Sequence, residues 1–129
     1  MSRDLNELHP EIRPLIDGFL ADVKAAGIDM IVTCTYRSFA EQNTLYEQGR
    51  TTPGAIVTNA QGGQSAHNYG LAVDVVPICN GKCVWNIHDP AWQKIGQIGQ
   101  AHGLRWYGAP GAKFPETPHF ELPHWEAYK

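Results

Sequence analysis

Ser65-Ala-His67-Asn-Tyr-Gly70-Leu-Ala-Val-Asp74 sets an imidazole and a carboxylate seven residues apart, joined by a glycine turn and a short apolar run. That run continues to Val76, and its β-branched, apolar composition predicts a strand. Period two places Leu71, Val73 and Val75 on one face and Ala72, Asp74 and Val76 on the other. Asp74 is therefore a carboxylate on a largely apolar strand, and because unpaired burial is costly it needs a cation or several donors. A His on a loop and an Asp on the strand that follows can converge on one cation, offering the nitrogen and oxygen ligands that zinc accepts in catalytic sites. One His and one Asp at this spacing is a weak pattern. Support comes from a second acidic and imidazole group, Glu116-Thr-Pro-His119-Phe-Glu121.

Upstream, Leu8, Ile12, Leu15, Ile16, Phe19, Leu20 and Val23 recur at three- and four-residue spacing, which predicts an amphipathic helix from Glu11 to Ala26 closed by Gly27. Met30 to Thr35 reads as a buried strand. Ser38 with Glu41 three positions on is a capping-box signature, opening a helix that ends at Gly49 and leaving Arg37 at the junction between strand and helix. Thr51 to Asn68 is rich in Gly, Thr, Asn and Gln and reads as a long loop, a kind that in compact domains is usually functional or mobile. Downstream, Asp89-Pro90 reads as an N-cap with proline at the first helical position, opening a helix that runs to His102. A short strand from Leu104 to Tyr107, a loop from Gly108 to Pro115 and a last strand from His119 to Leu122 complete the chain.

The 129 residues fit a single domain, 1–129, large enough to bury a core without disulfides. Hydrophobic content of 43% against 18% charged residues excludes a disordered chain. A net charge of −3 argues against a nucleic-acid partner, which would call for a basic face. No run reaches the roughly 18 apolar residues of a membrane span, so no membrane insertion is expected. Met1 to Pro10 lacks an apolar signal-peptide core, and the expected location is cytoplasmic. Cys34 reads as a small core residue. Cys79 and Cys83 bracket Asn80-Gly81-Lys82, a hairpin with a three-residue loop that could bring the sulfurs opposite each other as a disulfide or, less favourably, as half of a zinc site.

Hydrolytic zinc chemistry needs three protein ligands, an open position for water and a carboxylate to take the proton. His67, Asp74 and His119 offer the ligands, and Glu116, three residues before His119, offers the base. Glu121 and His124 repeat the same spacing and form the competing assignment. Arg37 has the bidentate geometry suited to a carboxylate. Gln42 can reach the same ligand or remain an ordinary solvated helix residue, and Ser65 can cap the loop or touch substrate. Trp106 and Tyr107 could wall a cleft, while His9, His88 and His102 read as surface residues.

Ser65-x-His67-x-x-Gly70-x-Ala72-x-Asp74, preceded by Tyr36-Arg-Ser-x-x-Glu-Gln42 and followed by Pro118-His-Phe-Glu121, resembles the M15 zinc peptidases. Within them it looks closest to the L-alanyl-D-glutamate endopeptidases of phage endolysins and bacterial wall hydrolases, over roughly Ile28 to Leu122. The resemblance implies an α+β fold with a small antiparallel sheet flanked by helices, of the D-Ala-D-Ala peptidase and Hedgehog type. It implies Zn2+ on His67, Asp74 and His119, Glu116 as the base, Arg37 and Gln42 in the substrate cleft, and Ser65 beside the metal. It further implies a peptidoglycan stem peptide as substrate, a monomer, no separate wall-binding domain, and action on the wall after release from a host cytoplasm. D,D-carboxypeptidase or D-Ala-D-Ala dipeptidase activity is the variant within the same chemistry, and a non-catalytic wall-binding module the alternative outside it. Two departures stand out: close relatives carry Asp at the position of Glu116, and many have Trp-Gly-Gly-Asp-Trp where this chain reads Trp106-Tyr-Gly-Ala-Pro.

Overall fold

The computed structural model describes residues 1–108 and 116–129, so the Gly108 to Pro115 loop of the sequence reading lies, after Gly108, outside the described residues. Three helices, α1 (Arg13–Ala25), α2 (Phe39–Glu47) and α3 (Pro90–Ala101), surround an antiparallel sheet. Its strands are β1 (Met30–Cys34), β2 (Ala72–Cys79), β3 (Lys82–Cys83), β4 (Arg105–Trp106) and β5 (His119–Glu121). The order is β1-β2-β5-β4, with β3 paired to the far end of β2. This is the α+β arrangement expected from the sequence.

Helix α1 starts two residues later than its periodicity predicts, because Ile12 at the N-cap has no side-chain acceptor and the chain first makes a turn closed by Ile12 N–H to the His9 carbonyl at 3.1 Å. It ends at Gly27, whose φ of 80° is the left-handed conformation that a non-glycine side chain resists. Ile16, Phe19 and Val23 form its buried face. The Ser38 capping box of α2 is present as read: the Ser38 side chain accepts from Glu41 N–H at 3.0 Å and Glu41 accepts from Ser38 N–H at 2.9 Å. The loop reading of Thr51 to Asn68 misses one turn, a 3-10 helix over Ala66–Tyr69.

Register decides which face becomes the site. In the β2/β5 pair Val73 lies opposite Phe120 and Asp74 opposite His119. Phe120 points to the helices, packing on Phe19 with ring centroids 4.7 Å apart. By alternation Asp74 and His119 point the other way. Helix α3 reaches the sheet closely because Gly96 and Gly99 lack side chains: a Cβ at Gly96 would stand 2.2 Å from the Trp106 ring, and one at Gly99 2.4 Å from Phe120. Gly96→Ala is expected to destabilise the protein by about 1–3 kcal/mol through overpacking, despite a gain in helix propensity of up to roughly 1 kcal/mol. A urea midpoint equal to or above that of the parent chain would refute this.

Around Asn80-Gly81 the hairpin has a two-residue loop, not three. Both residues have positive φ, 51° and 74°, which matches the right-handed twist of the flanking strands. Cys79 consequently pairs with Lys82, and Cys83 with Ile78. The two sulfurs fall on opposite faces of the ribbon. Both cysteines are free and exposed, which corrects the expectation that they meet.

Candidate metal centre

Three separate segments deliver His67, Asp74 and His119 to one place. His67 lies on the 3-10 turn that Ser65 caps: the Ser65 hydroxyl accepts from His67 N–H at 3.3 Å, and Asn68 Oδ1 accepts from Ser65 N–H at 3.2 Å. Asp74 is on the central strand β2, and His119 is its direct cross-strand partner on β5. His67 Nε2 lies 3.0 Å, and His119 Nδ1 3.1 Å, from the same Asp74 oxygen, Oδ1.

The second nitrogen of each ring is already committed. His67 Nδ1 is 2.8 Å from the Thr35 carbonyl, which can only accept, so Nδ1 carries a proton. His119 Nε2 is 2.7 Å from Glu121 Oε1, a buried carboxylate that is held in turn by the Arg105 guanidinium and by Tyr107 OH at 3.3 Å. These outer bonds fix both tautomers and aim Nε2 of His67 and Nδ1 of His119 at Asp74, the second-sphere arrangement that metal-ligating histidines use. Two imidazole nitrogens and a carboxylate oxygen are the donor types that zinc accepts in catalytic sites, and His67, Asp74 and His119 would supply them here.

Charge in the metal-free cluster follows from this packing. Burial alone would drive the extra proton off His67, but the Asp74 carboxylate overrides it and raises His67 to about 10. His119 is also raised, burial opposing and Asp74 and Glu121 prevailing. Burial would push Asp74 up, yet the two imidazoliums hold it well below the usual carboxylate range. A histidine whose folded pKa is raised contributes stability below its unfolded value near 6.5. The metal-free protein should thus lose stability as pH rises from about 6.5 through about 10. Thermal unfolding in excess chelator at stepped pH tests this, and a midpoint that climbs across that interval would contradict it.

The cluster floors a cleft of about 800 Å³ whose lining includes Arg37, Ser65, Tyr107 and Glu116. Arg37 donates to Gln42 Oε1 at 2.9 Å, and its Nη2 stands 3.9 Å from Asp74 Oδ2, so the guanidinium faces the cleft beside the cluster. Gln42 is neither the solvated residue nor the cleft residue of the sequence reading. It is fully buried, receiving Arg37 on its oxygen and donating to the Ala60 carbonyl at 2.8 Å, so it braces both Arg37 and the wall at 58–60. Glu116 is exposed on the cleft, its carbonyl accepting from His119 N–H at 3.1 Å in a turn that brings both side chains to the same region. Tyr107 lines the cleft as expected, whereas Trp106 is buried in the core.

His124 is not brought to the cluster. It is exposed with φ of 61° at the start of a 3-10 turn, Trp125–Tyr128. Glu121, its companion in the alternative pairing, is instead locked between His119 and Arg105. Cys34, read as a small core residue, is buried as expected. Its sulfur, a His67 nitrogen and an Asp74 oxygen lie within 4.8 Å of one another. We assign His119 rather than Cys34 as the third partner of His67 and Asp74, because His119 Nδ1 lies 3.1 Å from Asp74 Oδ1 and its other nitrogen is held by the Glu121 carboxylate. The sequence offers no periodic signal for Cys34, Arg105 or Tyr107, whose placement depends on strand register.

An antiparallel sheet that presents a His/Asp/His cluster to a peptide-sized cleft, with the exposed Glu116 on its lining, defines a metallopeptidase-type catalytic domain. Residues 5–110 match the VanY family, D-alanyl-D-alanine carboxypeptidase. The chain is 37% identical over 125 residues to the peptidoglycan L-alanyl-D-glutamate endopeptidase CwlK of Bacillus subtilis, covering 91% of this chain and 74% of that protein. It superposes on the Serratia marcescens L-Ala D-Glu endopeptidase ChiX with a TM-score of 0.69 at 22% identity, covering 96% of this chain and 86% of that one. It also superposes on the vancomycin-resistance D,D-pentapeptidase VanY, an E175A mutant in complex with Zn(II), with a TM-score of 0.66 at 19% identity over 93% and 75% of the two chains. The chain belongs to the VanY family of M15-type peptidases.

Proposed function

We propose that this chain is a zinc-dependent peptidoglycan endopeptidase that hydrolyses the L-Ala–D-Glu bond of stem peptides. The observation that carries the reading is the convergence of His67 Nε2 and His119 Nδ1 on Asp74 Oδ1 at the floor of a cleft that also holds Glu116. Kinship with CwlK selects the bond. Among the described residues no helix is long and apolar enough to cross a membrane.

His67, Asp74 and His119 would hold the metal. When bound, zinc supplies a Lewis acid that acidifies water and polarises the scissile carbonyl. Glu116 accepts the proton of the attacking water and returns it to the departing D-Glu amine. Arg37, steadied by Gln42, pairs with a carboxylate of the stem peptide and sets the register of the bond over the cluster. Glu121 holds the His119 ring in place, and Ser65 caps the turn that carries His67. We assign the protein to lysis enzymes of the endolysin type, made in a host cytoplasm and acting once the wall is accessible.

Digestion of purified peptidoglycan followed by identification of new termini tests the assignment. New N-terminal D-glutamate is expected. Release of D-alanine alone would instead favour D,D-carboxypeptidase activity, the activity that the family's description carries.

A further inference from the structure

We propose that Cys34 is a fourth protein donor at this metal centre, closing the His67/Asp74/His119 set with a sulfur in the resting protein. The inference rests on the metal-centre reading above and deepens it. Strand β1 runs alongside β2 in regular antiparallel register from Met30 opposite Pro77 to Val32 opposite Val75. Continued without interruption, that register would set Thr33 against Asp74. A bulge between Val32 and Cys34 inserts one residue and sets Cys34 against Asp74 instead. Bulges of this kind re-aim side chains beside functional sites.

As a result Cys34, Asp74 and His119 form one row across three adjacent strands, with His67 brought to the row by the 3-10 turn. Directly opposed residues of antiparallel strands share a face, with Cβ atoms roughly 4.5–5.5 Å apart. The Cys34 sulfur accordingly lies within 4.8 Å of ligand atoms of both His67 and Asp74. Its other polar neighbour is the Arg37 guanidinium, with Nη2 at 3.8 Å.

Four protein donors describe a closed tetrahedral site, whereas hydrolysis needs an open position. The sulfur must therefore yield to water or substrate before turnover, and the resting site should favour thiophilic metals such as cadmium more than a His/Asp/His site does.

Cobalt(II) substitution gives the decisive readout, with Cys79→Ser and Cys83→Ser in place so that the exposed thiols do not contribute. A near-ultraviolet thiolate-to-cobalt charge-transfer band is expected. Adding Cys34→Ser should abolish that band while stoichiometric cobalt and its visible bands remain. Stoichiometric cobalt without the charge-transfer band would overturn this inference alone, and the parent spectrum decides the matter even if Cys34→Ser fails to fold. Failure to bind any cobalt would overturn both this inference and the metallopeptidase reading beneath it.

Discussion

Glu116→Ala is expected to keep the metal and lose roughly 10²–10⁴-fold in turnover, the usual contribution of a positioned general base. Glu116 is set on the cleft by a turn whose hydrogen bond runs from His119 N–H to the Glu116 carbonyl, so its backbone is tied to that of His119. Its side chain is exposed, and a group that must take up and release a proton in each cycle needs that freedom. Glu121 lacks it. Burial would raise the Glu121 carboxyl, but His119 and Arg105 hold it below the usual range, and both of its oxygens are occupied. Glu121→Gln should therefore act through His119, weakening metal retention by about 10–100-fold as loss of an outer-sphere partner does. Stem-peptide hydrolysis together with metal analysis of both variants separates the roles. Full activity in Glu116→Ala would remove the base assignment.

Local chemistry made much of this architecture readable from the chain. The Ser38 box, the Asp89-Pro90 cap and the glycine stop at Gly27 involve neighbours in sequence, and each appears where the residues require it. His67 and Asp74 were legible for the same reason, since they lie seven residues apart and a turn and the start of a strand fix their relation. The functions assigned by side-chain type alone fared differently. Gln42 has the chemistry of a substrate ligand, but its place on the inner side of α2 turns it into a buried brace for Arg37. Cys34 is buried as its composition suggests, but a single bulge sets it opposite Asp74, a placement its side-chain type does not reveal. Arg105 and Tyr107 reach Glu121 across β4 and β5, a relation that register creates and that no spacing along the chain encodes. The hairpin cysteines show the converse: a turn one residue shorter than expected sends adjacent side chains to opposite faces.

His119→Ala is expected to abolish stoichiometric zinc binding, whereas changing His124 should leave it intact. Removing His119 deletes the nitrogen that faces Asp74 and also strands Glu121, a buried carboxylate that then keeps only Arg105 and Tyr107 as partners. The loss of affinity should exceed the roughly 10–100-fold that follows from removing an outer-sphere partner, because here a ligand itself is gone. At His124 the choice of substitution matters. Its φ of 61° is left-handed, so alanine would add backbone strain unrelated to metal, while asparagine tolerates that conformation. His124→Asn is the cleaner comparison. Zinc that binds only the native state raises stability by an amount set by its concentration relative to Kd, about 2.7 kcal/mol at a hundredfold excess over Kd. The upward shift in unfolding temperature on adding zinc should then vanish in His119→Ala and persist in His124→Asn. The reverse pattern would transfer the third ligand to His124 and, with it, the proton-handling carboxylate to Glu121. That outcome would require the chain after β5 to turn inward by breaking the bonds that now tie Glu121 to His119 and Arg105.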